Sequence, residues 1–221
     1  METQVHPQYS GGVMSVKGLS CTVVLIMLLA ASAWAQVNDV SITVGETFVS
    51  TQTVYNTGLS FNPPLHFGNE ITLAGNYSRL LKTPKIFGIY AELPVAIFPR
   101  MDLNTAYHGI PTDMGALFMT PSVRVSMFHE DSVNPWVSVG GGYGRFRYAP
   151  RDNFYGPNLG PRGSNTGVIQ FGAGLDVWFW HHWGFRGEGR DFYSGEPSFN
   201  VDTGRSREHN FYVGGGIVTR F

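Results

Sequence analysis

From Val40 to the last residue, the sequence is made of short segments whose apolar residues recur at every second position. Side chains alternate sides of a strand with period two, so this patterning demands β-strands with one apolar face. Eight such segments are read: Val40 to Thr51, Glu70 to Leu81, Ile86 to Ile97, Ala116 to Phe128, Pro135 to Phe146, Thr166 to Trp180, Gly184 to Phe192, and His209 to Phe221. The sixth is the clearest. Ile169, Phe171, Ala173, Leu175, Val177 and Phe179 share one face, and Gln170, Gly172, Gly174 and Asp176 share the other. In the third, Phe87, Ile89, Ala91, Leu93 and Val95 oppose Gly88, Tyr90 and Glu92.

The spacing between segments adds a second constraint. Polar, Gly- and Pro-rich stretches at 53–69, 99–115, 147–165 and 193–208 alternate with short turns at 82–85, 129–134 and 181–183. An even number of strands with long and short connections in strict alternation is the pattern of a transmembrane β-barrel, with short periplasmic turns and longer outer loops. Each segment is close to the ~9–11 residues a tilted strand needs to cross a bilayer. The alternative is a soluble barrel that keeps its apolar faces inside around a ligand. Three features favour the inverted arrangement. The non-apolar faces carry Gly, Ser, Thr, Asn and scattered charges, Lys is almost absent from the strands, and aromatics gather at segment ends. Trp136, Phe146, Trp180, Phe192, Tyr193, Phe211 and Phe221 are expected as interfacial girdles. Charged residues make up 14% of the chain, below the ~25% of soluble domains. The 15 basic and 16 acidic residues leave no basic excess for nucleic acid.

The N-terminal region reads as an address. Lys17 precedes an apolar core from Cys21 to Ala31, and Ala33-Trp34-Ala35 places small residues where a signal peptidase reads them. Residues 1–35 are expected to form a signal peptide cleaved before Gln36, with translation starting at Met14, and 36–221 to form the barrel domain. Cys21 is the only cysteine, so its removal leaves no disulfide, thiolate metal site or thiol nucleophile.

The last segment, HNFYVGGGIVTRF, puts Phe211, Val213, Gly215, Ile217, Thr219 and Phe221 on one face. With its terminal Phe and the pattern of 36–221, the chain resembles the small OmpA-like eight-stranded outer-membrane barrels. The resemblance implies an all-β, antiparallel, up-and-down barrel in the outer membrane. It also implies a final strand read by the barrel-assembly machinery through Phe221, Ile217, Val213 and Phe211.

Glu46, Glu92, Arg124, Asp176, Arg186, Glu188, Arg190 and Arg220 are all expected to face the interior. Unpaired and dry, each would cost several kcal/mol. Paired, they would form an ion-pair plug, because an eight-stranded barrel has room for side chains and little else. A narrow conductance gated by exchange of Arg–carboxylate partners is the sharper alternative.

Other chemistry is weaker. His129, Glu130, Asp131 and Ser132 bring a His, acids and a Ser together, but in a turn expected on the periplasmic side, away from outer-leaflet lipid. His181 and His182 are adjacent and point apart, with no third ligand. His66, His108 and His209 lie in or beside loops. Gly140–Gly142 and Gly214–Gly216 precede no helix and are not phosphate loops. No catalytic residue, cofactor or metal is assigned. The expected role is structural or surface-interacting, with the ligand of the loops left open. The alternatives are a lipid A-modifying hydrolase and a narrow channel.

Overall fold

The computed structural model describes residues 37–55, 60–107, 109–128, 131–148, 152–153, 156–157, 162–197 and 202–221. Eight antiparallel strands form the wall. They are β1 Asn38–Val49, β2 Glu70–Lys82, β3 Phe87–Asn104, β4 in two segments, Asp113–Met119 and Ser122–Met127, β5 Val133–Tyr148, β6 Gly163–Trp178, β7 Trp183–Gly195 and β8 Arg207–Arg220. Each pairs with its sequence neighbours. β8 returns to β1 in a register running from Asp39↔Arg220 to Val49↔Asn210, which closes the barrel and removes both edges.

The closing seam requires glycine. A Cβ on Gly216 would lie 2.0 Å from the Ile42 carbonyl oxygen, and one on Gly45 would lie 2.0 Å from that of Val213. These contacts are with backbone, which cannot move aside without breaking the ladder. The glycines that weaken β8 as an isolated strand therefore allow it to pair closely.

Both chain ends of the barrel lie at one rim. Asn38 N–H donates to the Phe221 carbonyl at 2.8 Å, and Phe221 N–H donates to the Asn38 carbonyl at 3.0 Å. The connections at this rim are tight. Two use residues at positive φ, Lys85 and Phe128. In the third, Trp183 N–H donates to the Trp180 carbonyl at 3.4 Å. At the opposite rim, Gln52–Thr53 pairs with Pro64–Phe67, which in turn adds to β3 through His66↔Asn104. Short turns face the periplasm and long loops face outward in such barrels, so the rim bearing the termini is periplasmic.

Two strands differ most from the sequence expectation, the others only by up to three residues at their ends. β3 was expected to end at Ile97 and continues to Asn104. Its pairing with β4 shifts between Phe98 and Met101, a bulge that turns both Pro99 and Arg100 outward. Proline cannot donate to the ladder, so regular pairing lapses there while the chain stays extended. β4 was expected to be continuous and breaks at Thr120-Pro121 for the same reason.

The outer surface is apolar. Ile42, Val44, Leu73, Val123, Val137, Val139, Phe171, Val213 and Ile217 all face outward and are exposed. Water would penalise this arrangement, whereas hydrocarbon does not. The interior is not uniformly polar, however. Its outer half is filled by Phe98, Phe118, Phe146, Phe192, Met101 and Met114. Phe118 stacks on Phe192 at 5.1 Å and meets Phe98 and Phe146 edge-on at 5.6 and 5.7 Å.

Candidate functional site

The periplasmic half of the interior holds the charged side chains. Strand parity places them there. Asp39, Glu92, Arg124, Asp176, Arg186, Glu188 and Arg190 occupy inward positions on five different strands, and all are buried.

Arg124 is the centre of the network. Its Nη2 donates to Asp39 Oδ2 at 2.6 Å, and its Nε and Nη1 lie 3.6 Å from Glu92 Oε2 and Asp176 Oδ2. Arg186 grips Asp176 with two parallel bonds, Nε to Oδ1 at 2.7 Å and Nη2 to Oδ2 at 2.6 Å, and reaches Ser41 Oγ at 2.9 Å. Arg190 bridges Glu92 Oε1 at 2.7 Å and Glu188 Oε2 at 2.9 Å. Glu188 Oε1 also accepts from Thr43 Oγ1 at 2.6 Å, which in turn accepts from the Tyr212 hydroxyl at 2.8 Å. The half-buried Arg220 donates from Nε to Asp39 Oδ1 at 2.9 Å. Four arginines thus meet four carboxylates and the charges balance. Charge-assisted bonds of this kind are the strong ones, and the forked Arg186–Asp176 pair also fixes orientation.

Trp136 lies among the guanidinium groups. Its ring centroid is 5.1, 5.2 and 5.8 Å from Arg190, Arg186 and Arg124, and its Nε1 donates to Asp176 Oδ1 at 3.2 Å. The Tyr90 ring lies 4.2 Å from Arg124. Cations over aromatic faces are further stabilised by the ring quadrupole.

The structure therefore brings together Glu92, Arg124, Asp176, Arg186, Glu188 and Arg190. It adds Asp39, Tyr90 and Trp136, which sequence reasoning did not include. Asp39 shares its parity with the inward Ser41 and Thr43, and that was the available signal. Glu46 was expected inside but faces outward and is exposed, because it follows Ile42 and Val44 at steps of two. Trp136, Phe146 and Phe192 were expected in the girdles but are buried inside, since position near a strand end does not override parity. Trp180, Phe211 and Phe221 are exposed on the outer surface. So are Val213 and Ile217.

His129, Glu130 and His108 lie outside the described residues. Asp131 and Ser132 are exposed at the periplasmic rim. His182 Nδ1 lies 2.9 Å from the Arg220 carbonyl, His66 Nδ1 lies 3.2 Å from Thr51 Oγ1, and His209 Nδ1 lies 2.7 Å from Asp191 Oδ2. Among the described residues, no group of three metal-ligating side chains converges.

At the outer rim β8 turns apolar residues outward only from Phe211 onward, so Glu208 lies above the belt. It is 3% exposed and accepts from Gln52 Nε2 at 2.9 Å. Burial, and next the neighbouring Glu196, push its carboxyl up to about 8. Burial raises Glu196 as well.

No protein-family model matches the chain, and no curated protein matches it in sequence. Solved structures do match in shape. Neisserial surface protein A superposes with a TM-score of 0.50 at 12% identity, covering 83% of this chain and 97% of that one. The outer membrane protein OprG of Pseudomonas aeruginosa also superposes with a TM-score of 0.50, at 11% identity, covering 84% and 97%. The closed eight-stranded meander, its apolar outer belt and these likenesses give the chain the fold of the small eight-stranded outer-membrane β-barrels.

Proposed function

We propose that this barrel is a non-conducting structural protein of the outer membrane that presents its outer loops for interaction. The observation that carries this reading is the two-tier filling of the lumen. The balanced network around Trp136 occupies the periplasmic half and the Phe98–Phe118–Phe146–Phe192 cluster the outer half. An ion crossing the barrel would have to break the first tier and then cross an apolar second tier.

The reading is also non-enzymatic. A general acid or base needs a free group facing its substrate, and each carboxylate of the network is bound to an arginine. Insertion by the barrel-assembly machinery through Phe211, Val213, Ile217 and Phe221 belongs to the same proposal. It is supported by the outward face these residues share and by the role of β8 as the closing strand.

The test is conductance of the purified barrel in planar bilayers, paired with mass spectra of lipid A from cells with and without the protein. The expected result is a silent bilayer and an unchanged lipid A. Discrete single-channel steps would overturn the plug, and a lost acyl chain would overturn the non-enzymatic reading.

A further inference from the structure

The bulge in β3 has an effect on the outer wall. It turns Pro99 and Arg100 outward, while Gly115 on the adjoining β4 presents no side chain. A Cβ there would lie 2.5 Å from the Pro99 carbonyl oxygen, so no other residue fits. The result is a groove of about 410 Å³, with Ile97, Pro99 and Leu117 on its apolar side and Arg145 and Arg147 of β5 along the other.

Arg145 and Arg147 are exposed and lie two residues apart on one face. Among the described residues, neither forms an ion pair. The nearby carboxylates are already engaged, since Asp113 and Asp102 hold Arg100 at 3.3 and 3.7 Å. Directly below, toward the membrane centre, the same face of β5 carries Tyr143, Val139 and Val137, all exposed, and Met119 is exposed beside them on β4. The Tyr143 hydroxyl donates to Asn165 Oδ1 at 2.7 Å, which marks the level where the wall changes from apolar to polar.

We propose that this groove binds a phosphate group on an acylated glycolipid of the outer leaflet. The two guanidinium groups take the phosphate and the apolar column takes the acyl chains. Side chains two apart on a strand are about 6.6 Å apart at the backbone, so both forks can close on one phosphate or on two neighbouring oxygens. Two adjacent guanidinium groups repel the ammonium of a zwitterionic headgroup and favour a headgroup of net negative charge. The proposal rests on the reading that the loop rim faces outward.

The test uses the intact barrel refolded into phosphatidylcholine nanodiscs. It is titrated with an acylated, phosphorylated glucosamine disaccharide, with the same lipid after phosphatase treatment, and with inorganic phosphate. Folding of every variant is checked by the mobility difference between boiled and unboiled samples. Wild type is expected to prefer the phosphorylated lipid by roughly tenfold or more, since each charge-assisted contact is worth about a factor of ten. Arg145→Gln with Arg147→Gln should abolish that preference while folding normally, and Lys85→Gln at the periplasmic rim should retain it. Equal affinity for the two lipids, an unchanged preference in the double variant, or competition by inorganic phosphate as strong as by the lipid would each overturn the site. A protein with no mobility difference would overturn the membrane reading itself, and the site with it.

Discussion

Arg124→Ala is the most informative perturbation of the interior. Arg124 contacts Asp39, Glu92 and Asp176, three of the four carboxylates of the network. After its removal each of these keeps one arginine: Asp39 keeps Arg220, Asp176 keeps Arg186 and Glu92 keeps Arg190. The local defect is therefore not an orphaned carboxylate but one unbalanced negative charge spread over a closed cluster. Removing one partner from a buried ion pair costs roughly 3–5 kcal/mol. Loss of the guanidinium over Tyr90 adds about 1–2 kcal/mol for a desolvated cation–π contact. Arg124→Met separates charge from volume, because it keeps most of the packing and loses the charge. We expect Arg124→Met, which loses the ion pairs and the cation–π contact together, to lose about 4–7 kcal/mol in urea unfolding from lipid vesicles followed by tryptophan fluorescence. Adding Glu92→Gln restores three charges of each sign, and the pair should show a favourable coupling of roughly 1–3 kcal/mol. A loss below about 1 kcal/mol in Arg124→Met, or additive effects in the double variant, would refute charge balance as the organising feature of the plug.

Three further predictions follow from particular contacts. Gly216→Val should prevent barrel closure and remove the fast-running unboiled band, because its Cβ would lie 2.0 Å from a backbone oxygen. Gly215→Ala should leave the band intact, since its nearest neighbour is 3.6 Å away. Deleting Phe221 removes an outward aromatic and one side of the Asn38 backbone pair, and should lower the amount of protein fractionating with outer membrane. Normal levels of that variant would refute an assembly role. Glu208 is an acid whose folded-state value is raised from an ordinary 4.5 to about 8. The folded state therefore holds the proton more tightly, and outer-rim stability should fall as pH rises through that window. Limited proteolysis of the loops should increase from about pH 5 to pH 8, and Glu208→Gln should flatten the dependence.

Much of this architecture was legible in the sequence. Side-chain parity alone assigned Arg124, Asp176, Arg186, Glu188 and Arg190 to one side of the wall and Val137, Phe171, Val213 and Ile217 to the other. A strand permits no third choice. Alternating connection lengths suggested the number of strands and the rim at which both ends meet. Parity also contained the correct placement of Glu46, Trp136, Phe146 and Phe192. Reading them instead by chemical type or closeness to a strand end led to the wrong face.

What lay beyond the sequence depends on height and angle around the barrel. Pattern along one strand does not say which residues of different strands share a level. Closure does, because it sets the stagger between neighbouring strands. That stagger gathers Arg124, Asp39, Glu92 and Asp176 from four strands into one tier and the four phenylalanines into another. It also aligns the Pro99 bulge with Gly115 and Arg147, forming a groove that no single segment encodes. The sequence by itself determined which face each side chain takes, because that is a local property of an extended chain. Only the tertiary structure decided which side chains meet, because that follows from closing eight strands around one axis.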